Sequence, residues 1–200
     1  SDLLKADVEL ENTAIEHRVR VLFKTGIDSE FSIADQQFGT IKRPTYLKEV
    51  ENWEENGWNE KPRTIEPMQS FVTLKNADYG VAVFTDCVRE YQITGDGYNT
   101  IALTLFRSVP EMGKADLKDR PGRASGMPWP TPDAQLLKKL KFNFAVKIYA
   151  ADEGINKIAV KAKEYLTPFA GYQSAHFKNV DMFFLLNQPG AKDFPEEYSL

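Results

Sequence analysis

Two hundred residues, 42% hydrophobic and 12% aromatic, can build one large domain or two small ones around a substantial core, which excludes a disordered chain. The net charge of −4 sets the overall field against nucleic acid, and no basic run supplies a local patch to overcome it. Apolar runs such as residues 180–186, interrupted by Asp181, are too short to cross a bilayer as a helix, and no charged-then-apolar leader opens the chain.

Along the chain the dominant signal is alternation of period two. Val19, Val21 and Phe23 share one face of a strand, and Arg18, Arg20 and Leu22 share the other. Residues 71–74, 81–84, 101–106 and 182–186 are further strand candidates, rich in β-branched and aromatic side chains. Asn76-Ala77-Asp78-Tyr79-Gly80 separates two of them. Gly95-Asp96-Gly97 separates 91–94 from 101–106, and both segments have hairpin chemistry. The longest alternation sets Leu140, Phe142, Phe144, Val146 and Ile148 against Lys139, Lys141, Asn143, Ala145 and Lys147. It predicts five inward residues and a solvated opposite face.

One helix interrupts the strands. Ile155, Ile158, Ala159, Ala162, Tyr165 and Leu166 follow helical spacing, with Asp152 as the expected N-cap and Pro168 closing the segment. Thr131-Pro132-Asp133 can start one short helical turn. Residues 35–69, with Trp53 and Trp58, and residues 109–132, with Gly113, Pro121, Gly122, Gly126, Pro128 and Pro130 among them, read as irregular. Loops of that length inside a compact domain serve a function or pack on something else. These elements predict an all-β fold, an antiparallel β-sandwich with one short helix, spanning residues 1–200 as a single domain.

Chemistry-bearing residues are sparse. His17 and His176 are the only histidines and lie far apart, so a hydrogen-bonded structural role outweighs metal ligation for each. Cys87, the single cysteine, excludes an intrachain disulfide and reads as a buried thiol. With no Asn-x-Ser/Thr sequon, it points to a cytoplasmic protein. No nucleophile elbow, Walker loop or dinucleotide fingerprint is present, and Gly122-Arg123-Ala124-Ser125-Gly126 lacks the strand-to-helix context of a phosphate loop. Glycoside hydrolysis needs two carboxyl groups across the scissile bond. The acidic neighbours Glu54-Glu55 and Glu196-Glu197 would diverge on extended backbone and read as solvated surface. Arg18, Arg20, Arg107, Arg120 and Arg123 are more suggestive, because a guanidinium offers a rigid fork of donors to carboxylates and sugar hydroxyls. No self-sufficient catalytic site emerges from these residues.

Several phrases resemble one family. They are the run from His17-Arg18-Val19-Arg20 to Gly26, Phe71-Val72, Gly80-Val81-Ala82-Val83-Phe84, and Arg89-Glu90-Tyr91-Gln92-Ile93. Residues 101–109, Arg120-Pro121-Gly122 and Thr131-Pro132-Asp133-Ala134-Gln135 follow in the same order. Over residues 8–150 the sequence resembles the C-terminal β region of glycoside hydrolase family 38, the α-mannosidases and mannosylglycerate hydrolases, bacterial type; Lys24 stands where bacterial relatives often have proline. The resemblance implies a sandwich of the galactose-mutarotase-like supersandwich type. It also implies a multidomain retaining enzyme whose separate catalytic domain holds the nucleophile and a divalent metal, usually zinc. No catalytic or metal residue carries over, so this chain is expected to be a fragment without a cofactor of its own. Its expected partners are the catalytic and helical domains of the same polypeptide and an α-mannoside substrate, with room for a homo-oligomer. Arg120, Arg123 and Trp129, in the long loop between Arg107 and Gln135, are the candidates for the mouth of the sugar site. Two rival readings are a free-standing carbohydrate-binding module with Trp53, Trp58 or Trp129 as a stacking platform, and a purely structural assembly domain.

Overall fold

The computed structural model describes residues 2–86, 89–122 and 124–167. Cys87, Arg123, Pro168, His176, the 182–186 strand candidate and Glu196-Glu197 lie outside the described residues. The described residues form ten strands, β1 (Leu4–Glu11), β2 (Arg18–Lys24), β3 (Phe31–Gln36), β4 (Gly39–Pro44), β5 (Ile65–Pro67), β6 (Phe71–Lys75), β7 (Tyr79–Thr85), β8 (Glu90–Thr94), β9 (Thr100–Arg107) and β10 (Lys139–Ala150). The helices are α1 (Glu49–Asn52) and α2 (Ile155–Leu166), with a 3-10 turn at Pro132–Gln135.

Two antiparallel sheets form the sandwich, one of six strands in the order β1-β10-β7-β6-β3-β4 and one of four in the order β2-β9-β8-β5. Both hairpins expected from Asn76–Gly80 and Gly95–Gly97 are present, closing on the pairs Lys75–Gly80 and Thr94–Thr100. In the first, the Asn76 side chain accepts from the Asp78 and Tyr79 amides, which is why an Asn stands at that corner. Inward residues of the two sheets meet in one core. Val72, Leu74, Val83, Phe142 and Phe144 come from the first sheet, and Tyr91, Ile93, Ile101, Leu103 and Phe106 from the second. Phe23 meets Phe144 edge to face at 5.5 Å, and Phe106 stacks on Phe142 at 6.1 Å, so aromatic pairs bridge the sheets.

A second cluster lies on the outer face of the six-stranded sheet. Ile158 and Ala162 of α2 pack with Phe71, Ala82, Phe84, Ala145 and Tyr149. Ala82 and Ala145 keep the sheet surface low, which lets a helix lie close. This corrects the expectation of a solvated outer face along all of β10. Lys141 is exposed, but Ala145, Lys147 and Tyr149 are buried. Ile148, expected in the core, is 72% exposed. Ile148 lies past the end of β1, which stops at the Leu4–Val146 pair, and on the face opposite the one that α2 covers at Ala145 and Tyr149. The helix starts from Gly154 instead of Asp152, without a side-chain cap, and its last residue is Leu166.

Residues 35–69 are more regular than expected. β3 and β4 form a hairpin through Gln37 and Phe38. In β3 it is Ser32 and Ala34 that are buried, while Phe31 and Ile33 stay half-buried, so the polarity of the alternation misleads.

Candidate functional site

Three separated segments converge beside the four-stranded sheet: β2, the stretch 60–67, and the loop from Arg107 to Gln135. That loop is a tongue. The Met112 amide donates to the Trp129 carbonyl at 3.0 Å and the Thr131 amide to the Pro110 carbonyl at 2.8 Å, holding the two arms together. Above this rung Gly113 lies directly against the Gly126 backbone, where any Cβ would collide. At the far end the Arg120 amide closes a turn on the Leu117 carbonyl at 2.9 Å. The tongue tip rests on the 60–63 stretch, because the Lys61 amide donates to the Asp119 carbonyl at 2.8 Å. Arg63 pairs with Asp119 at 2.5 Å and Arg120 with Glu60 at 3.8 Å. The ion pair of Arg120 thus runs between two loops.

Of the residues expected at a sugar-site mouth, Arg120 is mostly covered, with 18% of its side chain exposed, while Trp129 is 59% exposed beside Met112 and Met127. Trp58 is also exposed, but Trp53 is buried at 8% and is removed from the stacking candidates. His17 has a structural setting. Its ring meets Phe106 edge to face at 5.1 Å, and its amide donates to Ser108 Oγ at 3.0 Å.

The structure also assembles a group that no single stretch of sequence displays. Arg18 and Arg107 are direct partners across β2 and β9. Arg20 Nη1 donates to Gln92 Oε1 at 2.6 Å, and Gln92 Nε2 to Thr64 Oγ1 at 2.6 Å, which brings β2, β8 and the segment leading into β5 together. Glu90 accepts from Thr104 Oγ1 at 2.8 Å and faces Arg18 Nε at 3.5 Å. At that separation the ion pair is not a hydrogen bond, and Arg18 Nε is buried without a hydrogen-bond partner, as is Arg120 Nε. Burial lowers the pKa of Arg18; Glu90 opposes this, and Arg107, Arg20 and Arg63 push further down.

Chemically this surface can position, stack and donate hydrogen bonds. Among the described residues, no three His, Cys, Asp or Glu side chains gather to hold a metal ion. No described helix is long and apolar enough to cross a membrane.

Comparisons with known proteins agree with the fold. A "putative" mannosylglycerate hydrolase of Halalkalibacterium halodurans is 35% identical over 118 residues, covering 59% of this chain and 12% of that protein. An α-mannosidase from Enterococcus faecalis V583 superposes with TM-score 0.69 at 26% identity, over 85% of this chain and 17% of that one. A glycosyl hydrolase family 38 protein from Enterococcus faecalis gives TM-score 0.69 at 25% identity, over 88% and 18%. The chain thus spans less than a fifth of the length of each of these relatives. The family model for the glycosyl hydrolases family 38 C-terminal domain matches residues 3–115, more than half of the sequence, and the chain belongs to that family.

Proposed function

We propose that the chain is the C-terminal β-sandwich of an α-mannosidase-like retaining glycoside hydrolase, bracing the catalytic domain and shaping the mouth of its sugar site with the tongue. The carrying observation is the tongue itself. Its arms are bonded to each other and its tip to the 60–63 stretch, yet Trp129 is left 59% exposed. An ordered loop that displays a large aromatic ring is suited to a ligand or a facing domain. In this reading the nucleophile and a divalent metal, zinc, belong to the catalytic domain. The described residues here gather no ligand set for such a metal. The substrate is an α-mannoside, the compartment is the cytoplasm, and the family relatives named above support the class.

The test uses the complete enzyme that contains this chain. Trp129→Ala should lower kcat/KM on an aryl α-mannoside at least ~tenfold, about 1.4 kcal/mol of transition-state stabilisation. Arg120→Ala should lower it as well, but with a fall in thermal stability, because Arg120 also ties the tongue to Glu60. Unchanged kinetics in the Trp129 variant would remove the tongue from the sugar site. The exposure of both Trp58 and Trp129 favours a second reading, a carbohydrate-binding module. Binding of mannose oligosaccharides by the 200-residue chain alone, lost on replacing either tryptophan, would select it.

A further inference from the structure

The outer faces of the two sheets differ. That of the six-stranded sheet is closed by α2, whereas that of the four-stranded sheet carries a layer of long polar side chains over buried Ala102 and Thr104. Among the described residues this layer holds Arg18, Arg20, Arg63 and Arg107, with Glu90 paired to Arg18 and Asp119 to Arg63. Arg20 has a neutral amide as its bonded partner. The guanidinium groups oppose one another strongly enough to weigh on Arg18, and Arg18 Nε is buried without a hydrogen bond. All of this sits on a chain whose net charge is −4.

A cluster of like charges with unspent donors costs stability unless an anion meets it. Guanidinium groups fixed on a rigid sheet, and joined through the Arg63–Asp119 pair to a tongue that exposes Trp and Met side chains, have the composition of a protein interface. Glu90 and Asp119 are interleaved among the arginines, a pattern that matches discrete carboxylates better than a continuous row of phosphates.

We propose that the arginine face of β2-β9-β8-β5 is a docking surface for a carboxylate-rich surface of another domain of the same glycosidase polypeptide. The proposal rests on the reading in the preceding subsection. Charge complementarity argues for the occupant, and so does the length of the relatives, more than four-fifths of which lies outside the part this chain matches. Docking along this face would also carry the adjoining tongue onto the same partner.

Hydrogen–deuterium exchange of the 200-residue chain and of the complete enzyme decides it. Peptides from Arg18–Lys24, an edge strand, should exchange at least ~tenfold more slowly in the complete enzyme. Arg20→Glu with Arg107→Glu should restore fast exchange and lower the enzyme's Tm without lowering the Tm of the 200-residue chain, where it relieves the mutual repulsion of the arginines. Arg20→Gln with Arg107→Gln should do so more weakly, and Lys139→Glu with Lys157→Glu, elsewhere on the surface, should do neither. Equal exchange of this strand in chain and enzyme would overturn the proposal. Dimerisation of the 200-residue chain that the Arg20 and Arg107 reversals disperse would overturn it in favour of self-association. Absence of α-mannosidase activity from the complete enzyme would instead strike the functional reading, leaving the exchange result to judge the docking.

Discussion

Gly80 and Tyr149 face each other across β7 and β10, and the tyrosine ring lies over the glycine. The ring fills the space a side chain would take, and its hydroxyl reaches Thr73 Oγ1 on β6 at 2.8 Å. Gly80→Ala would drive a Cβ into that ring, and it should lower the unfolding free energy by about 1–3 kcal/mol in a urea titration, the cost of overpacking. A second local arrangement predicts pH dependence. Lys147, buried on the outer face of β10, pairs with Asp2 at 2.5 Å and Glu153 at 3.2 Å. The hydrogen bond from Lys147 lowers the pKa of Asp2 to about 2, whereas bonding to Asp2 raises that of Lys147. The Asp2 contribution is therefore fully present above the ordinary carboxylate range and fades as pH falls towards about 2. Lys147 contributes on the other side, losing its part only as pH rises through its raised value. Asp2→Asn should flatten the acid limb of a Tm-against-pH curve and cost less than ~1 kcal/mol at neutral pH, because Asp2 is half exposed. An acid limb identical to that of the parent would contradict the pairing.

Strand β10 passes from one environment to another, and its two halves should answer mutation differently. Phe144, 7% exposed between Phe23 and the inner core, should cost about 3–5 kcal/mol when replaced by Ala. Ile148→Ala, at 72% exposure, should stay within ~0.5 kcal/mol, as should Lys141→Ala on the outer face. Equal denaturation midpoints for the Phe144 and Ile148 variants would mean that the core continues past Val146. The alternation in sequence revealed this strand and its inward parity. It could not reveal where β1 ends or that α2 returns over Ala145, because both are decided by partners more than 100 residues away or in a later element. The missed hairpin has a different cause. β3 turns Ser32 and Ala34 inward, so a reading that equates inward with large and apolar passes over it. β1 carried a usable signal, since Ala6, Val8 and Leu10 pack on the core between charged neighbours.

For the whole molecule, family membership was legible because short strand and turn phrases keep their order along the chain. The arginine face was not, since Arg18 and Arg20, Arg63, and Arg107 come from three separate segments that only the sheet order makes neighbours. The tongue was legible as a long Gly- and Pro-rich loop. Its support was not, because Glu60, Lys61 and Arg63 sit in a stretch whose sequence announces no partner.

The place of β10 between β1 and β7 has a consequence for where the chain can be cut. The family model ends at residue 115, so a piece trimmed to that match would keep β1 and lose its partner strand. Glu9 and Lys141, bonded in the intact sheet, are 132 positions apart. In the trimmed piece β1 would have nothing to pair with, and β7, rich in valine and phenylalanine, would become an open edge of the kind that recruits other molecules. Residues 3–115 expressed alone should therefore aggregate, while the 200-residue chain stays in solution; a monomeric, cooperatively melting 3–115 piece would contradict this. The hydrogen bonding of the sheet thus reaches beyond the residues that the family model matches. On the ribosome too, the six-stranded sheet must wait for its second strand in space, which is made last among the described strands.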